Sequence, residues 1–231
     1  MPQSGSGWLA LFLAAAVVAV GGQDASDAPG LVRQLGQFPA AMDPRIQKST
    51  GQRMPAEQRR EAVYVRLRAL AESAVPALQR GLMDADVQVR RNVALYLGWE
   101  GGNYAKHAAT PLDVKPFLPQ LVIALRDQDE RVKALAAQAL EHVGADAVVA
   151  VPDLVRLLED PSEGLRSSAC IGLAGIGPAA RDALPALRRA LADPSNDVRR
   201  FAQRAIDRIA QNINHESEQT RMVTPDSCLN R

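Results

Sequence analysis

A chain of 231 residues that is 47% hydrophobic has apolar side chains enough for one or two cores, yet only 4% of it is aromatic. Ala, Leu and Val supply most of that apolar content, which suits closely packed helices better than a sheet sandwich. Against 27 Lys and Arg stand 26 Asp and Glu, a formal net charge of +1, so no global field gathers nucleic acid or an anionic membrane onto the surface.

In chain order the first element is Trp8 to Val20, an uncharged apolar run of 13 residues. A spanning helix needs about 20 such residues, whereas this length fits the core of a signal peptide. Val20 and Gly22 are small enough to place a cut before Gln23, although no Lys or Arg precedes the run. Residues 1–22 are therefore expected to be an export signal, with an uncleaved anchor as the alternative, and 23–28 a linker. The expected location is periplasmic or envelope-associated, with membrane contact only through this segment.

Beyond Pro76 the chain repeats. Four stretches align without gaps: "PALQRGLMDADVQVR" from Pro76, "PQLVIALRDQDERVK" from Pro119, "PDLVRLLEDPSEGLR" from Pro152 and "PALRRALADPSNDVR" from Pro185. Eight residues after each Pro comes an Asp (Asp84, Asp127, Asp160, Asp193). Fourteen after it comes a base (Arg90, Lys133, Arg166, Arg199). Pro is harmless in a first helical turn, whose N–H groups have no intrahelical partner. A short helix then runs to the Asp, with Leu154, Leu157 and Leu158 as its inward stripe in the third of the four stretches. After a turn that Asp86, Asp129, Ser162, Ser195 or Asn196 can cap, a second helix carries Leu165, Ala169, Gly172, Leu173 and Ile176 on one face. Gly101, Gly144 and Gly177 occupy the helix-ending position of successive units. One such hairpin cannot cover its own apolar face, but stacked neighbours can.

The Pro, Asp, apolar residue and base at these spacings resemble the HEAT repeat, specifically the short bacterial kind grouped with the phycobilisome-lyase HEAT-like, armadillo-type proteins. The resemblance implies an all-α, right-handed α-solenoid of about five hairpins. It also implies a ladder of hydrogen bonds between repeats built from Asp84, Arg90, Asp127, Lys133, Asp160, Arg166, Asp193 and Arg199. A divergent first unit is expected because "PGLVRQL" from Pro29 parallels "PDLVRLL" from Pro152. Its second helix is expected over 56–71, after a polar insertion around 38–55. The repeat domain is thus expected over 29–211, followed by a polar, disordered tail over 212–231.

The chemistry-bearing residues are few. His107, His142 and His215 are the only histidines. Deoxyhypusine hydroxylase, also built from HEAT repeats, takes iron on His-Glu pairs directly after the repeat's base. Here those positions read Arg91-Asn92, Ala134-Leu135, Ser167-Ser168 and Arg200-Phe201, so that activity is not expected; nor is bilin lyase chemistry, whose pigment substrates are intracellular whereas this chain is expected to be exported. Cys170 and Cys228 form no disulfide framework, although pairing between chains through Cys228 stays open. The Gly-x-x-Gly-x-Gly at Gly172, Gly175 and Gly177 follows no strand and opens no helix, so it is no dinucleotide fingerprint. The expectation is no catalytic residue, no cofactor and no metal.

Departures from the repeat carry more information. An insertion over 101–118 holds Tyr104, His107 and Phe117 and adjoins Trp99. Aromatic residues are enriched in interface hot spots, but rings also plug gaps between repeats. Arg200, Arg204 and Arg208 form a stripe at a spacing of four on the last second helix, either a site for an anionic partner or the polar face of a capping repeat. These seven residues are the candidate contacts for a protein partner; no nucleic-acid partner is expected. The function expected is a non-catalytic scaffold or adaptor. The alternatives are a metal-dependent enzyme with a site near Tyr104, His107 and Asp113, and a passive spacer.

Overall fold

The computed structural model describes residues 27–37, 55–100 and 112–222. The described residues form helical hairpins in five successive units, without a strand. The first unit pairs α1 (Ala28–Leu35) with α2 (Pro55–Leu70), and the second pairs α3 (Val75–Leu82) with α4 (Val87–Glu100). Then come α5 (Leu118–Ala124) with α6 (Glu130–Ala139), α7 (Val151–Leu157) with α8 (Glu163–Ile176), and α9 (Leu184–Ala190) with α10 (Asn196–Met222). Stretches of 3-10 helix, among them Leu140–His142, Gly144–Ala150 and Gly177–Ala183, carry the chain from one hairpin to the next.

Each first helix opens with its proline in the first turn, where the missing N–H costs no hydrogen bond. Each is only seven or eight residues long, too short to be stable alone. The repeated Asp then turns the chain. Asp84, Asp127, Asp160 and Asp193 each accept, through Oδ1, the backbone N–H two residues on, at 2.8–2.9 Å. After the turn, Asp129 caps α6 by accepting from the Val132 N–H at 3.0 Å.

The second helices stack against one another through small residues. Ala136, Ala137, Ala169, Ala202 and Ala205 are fully buried, which lets helix backbones approach closely and explains the shortage of aromatics. The closest approach is at Gly175, where a Cβ would lie 2.2 Å from the Cα of Glu141. Gly177 ends α8 with φ +67 and returns its N–H to the Leu173 carbonyl, a conformation that favours glycine. The first helices of units three to five, separated by the 3-10 segments, lie on the outer layer. The side on which successive second helices pack directly on one another is called the inner side below.

Large side chains fill the core where the repeat is least regular. Tyr64 and Tyr96 sit with ring centroids 4.9 Å apart between the first two units, and the Tyr64 hydroxyl donates to the Asn92 carbonyl at 3.1 Å. Cys170 is fully buried, and burial pushes its thiol up to about 12, which leaves it inert. At the other end, α10 runs on to Met222, past residue 212, where a tail is expected from the sequence. No Gly or Pro occurs between Asn196 and Met222 to stop it. No helix among the described residues is long and apolar enough to cross a membrane. The run from Trp8 to Val20, the insertion around 38–54 and most of that over 101–118 lie outside the described residues.

Gly175→Val should force α8 away from the end of α6 and lower stability by about 1–3 kcal/mol in urea unfolding. Gly164→Ala, whose new methyl meets nothing nearer than 3.6 Å, should leave stability unchanged or slightly raised.

Candidate binding surface

The side chains that join one unit to the next come from the turns and the first turn of each second helix. Arg90 forks onto Asp127, with Nε donating at 2.8 Å and a terminal nitrogen at 3.0 Å. Its other terminal nitrogen donates to the carbonyls of Asp84 and Ala85 in its own turn. Arg166 repeats the arrangement on Asp193 at 2.7 and 3.0 Å, with Asp160 and Pro161 as its own-turn carbonyls. Arg199, in the last unit, keeps only the own-turn half, donating to Asp193 and Pro194. Lys133 cannot fork, and its ammonium stands 3.9 Å from Asp160. Arg90 and Arg166 therefore each tie their own turn to the acid of the following one.

These pairs are largely shielded from water, the Arg166 and Asp193 side chains being 14% and 9% exposed. The Arg166 guanidinium holds the Asp193 carboxyl below the usual carboxylate range, and Arg91 does the same to Asp129. Asp127 and Asp193 in turn stabilise the charged forms of Arg90 and Arg166.

A second set of inter-unit contacts has no counterpart in the sequence reading. Arg91 pairs with the cap residue Asp129, Ser162 donates to Glu130, and Ser195 donates to Glu163 at 2.6 Å. On the outer layer Arg126 forks onto Asp153 at 2.9 and 2.8 Å, and Arg156 joins the same carboxylate. Glu130 and Glu163 do occupy one column of the repeat, and Ser162 and Ser195 another. That recurrence is the available signal, but carboxylate–hydroxyl pairs have no charge complementarity to flag them.

The inner face is formed by exposed positions of the second helices. In α8 these are small or apolar: Ser167, Ile171 and Gly175, all half-buried. Because that floor is low, α10 reaches over it. Arg204 and Arg208 both donate to Oε1 of Glu141, at 3.4 and 3.3 Å, and Glu141 belongs to the unit two before. Beside Glu141, His142 Nε2 donates to the Gly98 carbonyl at 3.0 Å. Elsewhere, next to the Arg90–Asp127 rung, a surface hollow of about 420 Å³ opens between α3 and α5. The half-exposed Met83 and Ile123 line it.

Of the seven candidate contacts, the side chains of Phe117, Arg200, Arg204 and Arg208 are described. Phe117 is fully buried in the core and is unavailable to a partner. The short 3-10 turn Lys115–Phe117 brings its ring inward, where it fills space between irregular units. Of Trp99 only the backbone is described, and Tyr104 and His107 lie outside the described residues. Arg200, Arg204 and Arg208 are exposed on one side of α10, with Arg200 bonded to Asp197 at 2.9 Å and stacked 4.9 Å from the Phe201 ring centre. Among the described residues no group of three or more His, Cys, Asp or Glu is placed to hold a metal ion.

Residues 118–221 match the family model for HEAT repeats. The chain folds as an α-solenoid of HEAT-like hairpins. Residues 59–149 match a second model, that of the non-SMC mitotic condensation complex subunit 1. Solved structures of similar fold include an engineered protein at 21% identity, covering 87% of this chain and 97% of its own, with a TM-score of 0.54. The complex of CpcE and CpcF of phycocyanin lyase from Nostoc sp. PCC7120 is similar at 24% identity, covering 83% and 75%, with a TM-score of 0.52. A designed armadillo repeat protein in complex with the peptide (KR)4 is similar at 20% identity, covering 85% and 99%, with a TM-score of 0.53. At these identities the likeness is one of fold. No curated protein sequence matches the chain.

The rungs between HEAT units make two expectations measurable. Arg166→Ala strands the shielded Asp193 carboxylate and should cost about 1.5–3 kcal/mol of unfolding free energy, whereas Lys133→Arg, which restores a fork, should raise stability. Asp129 and Asp193 have their folded-state pKa depressed. Their contribution is therefore present above the unfolded value of about 4 and lost as pH falls through the folded one. An acid titration of stability should show this loss below about pH 4, and Asp193→Asn should flatten it.

Proposed function

We propose that this HEAT-repeat protein is a non-catalytic scaffold that binds a protein partner along the inner face of its second helices, and that residues 1–22 export it to the cell envelope. The observation that carries the binding role is the inner face itself, where exposed polar side chains of units three to five stand around the low floor of α8. The charged groups at the turns are occupied in pairing units, which supports a structural role for them. Two of the similar folds are found with a second chain or peptide, the CpcE–CpcF complex and the designed armadillo protein with (KR)4, and both favour a binding module over a spacer. The uncharged run from Trp8 to Val20 supports export.

A photo-crosslinking residue placed at Ile171 on the inner face, in the full chain expressed in its native cell, should give one dominant adduct. The same residue at the exposed, outer Arg188 should not. Adducts of equal strength at both positions, or at neither, would remove the binding role in favour of a spacer. The mature chain should be recovered in the envelope fraction and lack its first 22 residues; recovery of the full-length chain in the cytoplasm would remove the export role.

A further inference from the structure

We infer that the inner face of units three to five is a docking groove for an acidic, extended segment of a partner protein, and that Glu141 occupies the position of that partner's carboxylate in the free protein. The inference rests on the scaffold role proposed above and gives its partner a chemistry.

The wall of the groove is α10. Arg200, Arg204 and Arg208 follow one another at one-turn intervals on it, and their side chains are 65%, 53% and 45% exposed. Among the described residues the carboxylates bonded to this stretch of α10 are few. Asp197 takes Arg200 from the same helix at 2.9 Å, and Asp207 accepts from Gln203 at 2.8 Å. Arg204 and Arg208 share a single oxygen of one carboxylate, Oε1 of Glu141, at 3.4 and 3.3 Å. Charge-assisted bonds of this kind close to about 2.7–2.9 Å when well made. Two guanidiniums thus hold one oxygen at long range, with most of their donors unspent.

The floor fits a chain rather than a side chain. Ser167 and Ile171 keep α8 low beside the arginine wall, and at Gly175 the Glu141 backbone lies so close that no side chain can rise there. Residues four apart on a helix are separated by about 6 Å along its axis. Alternate residues of an extended strand point the same way about 6.5–7 Å apart. A partner strand lying along α10 with carboxylates at alternate positions would therefore present one to Arg204 and the next to Arg208, and Glu141 would be released.

The test measures binding of the full chain to a fluorescein-labelled peptide of about twelve residues alternating Glu and Ser, at low salt. A Lys–Ser peptide and a single-stranded oligonucleotide of similar length serve as comparisons. The Glu–Ser peptide should bind and the Lys–Ser peptide should not, and Arg204→Ala with Arg208→Ala should weaken binding about tenfold or more. Glu141→Gln, by removing the internal competitor, should tighten binding severalfold, a gain that misfolding cannot produce. Unchanged or weaker binding by Glu141→Gln would overturn the inference, as would an oligonucleotide bound more tightly than the Glu–Ser peptide. If the peptide fails to bind while the Ile171 crosslink persists, the acidic groove is wrong and the scaffold stands.

Discussion

A helix of two turns cannot cover the apolar side chains it carries. Leu154 and Leu157 of α7 and its C-cap Leu158 are buried only because α8 and the flanking units lie over them, and the same holds for each hairpin. Association between units is thus the condition for any one of them to exist, and stability rises by neighbour interfaces rather than by enlargement of a single core. That condition explains the composition: alanine and glycine where second helices touch, leucine where first helices point inward, and the fully buried rings Tyr64, Tyr96 and Phe117 around the irregular first units.

Apolar contact sets no register by itself, since one greasy helix slides readily along another. The register is fixed by polar groups at the turns. A fork from Arg90 or Arg166 reaches the acid of the next turn only when both units sit at one relative height, and its remaining donors close its own turn. The serine and glutamate contacts one step further along impose the same height a second time. The Lys133–Asp160 contact is the weak member, a point charge at 3.9 Å where its neighbours form paired hydrogen bonds. Together these contacts hold the inner face in the shape that the proposed partner would meet.

Much of this was legible in the sequence because the positions are forced. Proline tolerates few places in a helix, and the left-handed turn at Gly177 favours one residue type, so each recurs visibly. The hairpin count followed from those marks, down to a second helix in the divergent first unit at Pro55–Leu70. Less legible was anything that depends on how the units sit in space. An aromatic residue in an insertion reads the same whether it plugs a gap or faces a partner, and Phe117 proves to be a plug. Glu141 carried no sequence signal because its partners lie 63 and 67 residues away and meet it only through the curvature of the stack. The end of α10 is also hard to read from sequence: polarity suggests a tail from residue 212, whereas the helix runs to Met222 with no Gly or Pro to interrupt it.

The bond from Glu141 to the arginines of α10 also has a mechanical meaning. Ordinary contacts in a solenoid join nearest neighbours and let the array flex like a stack of loosely hinged plates. A tie that skips a unit acts as a chord across the arc, and opening the curve must stretch it. This chord spans the last three units. Since the chord is an exposed ion pair, ionic strength sets its tension, so the compliance of the protein varies with the salt around it.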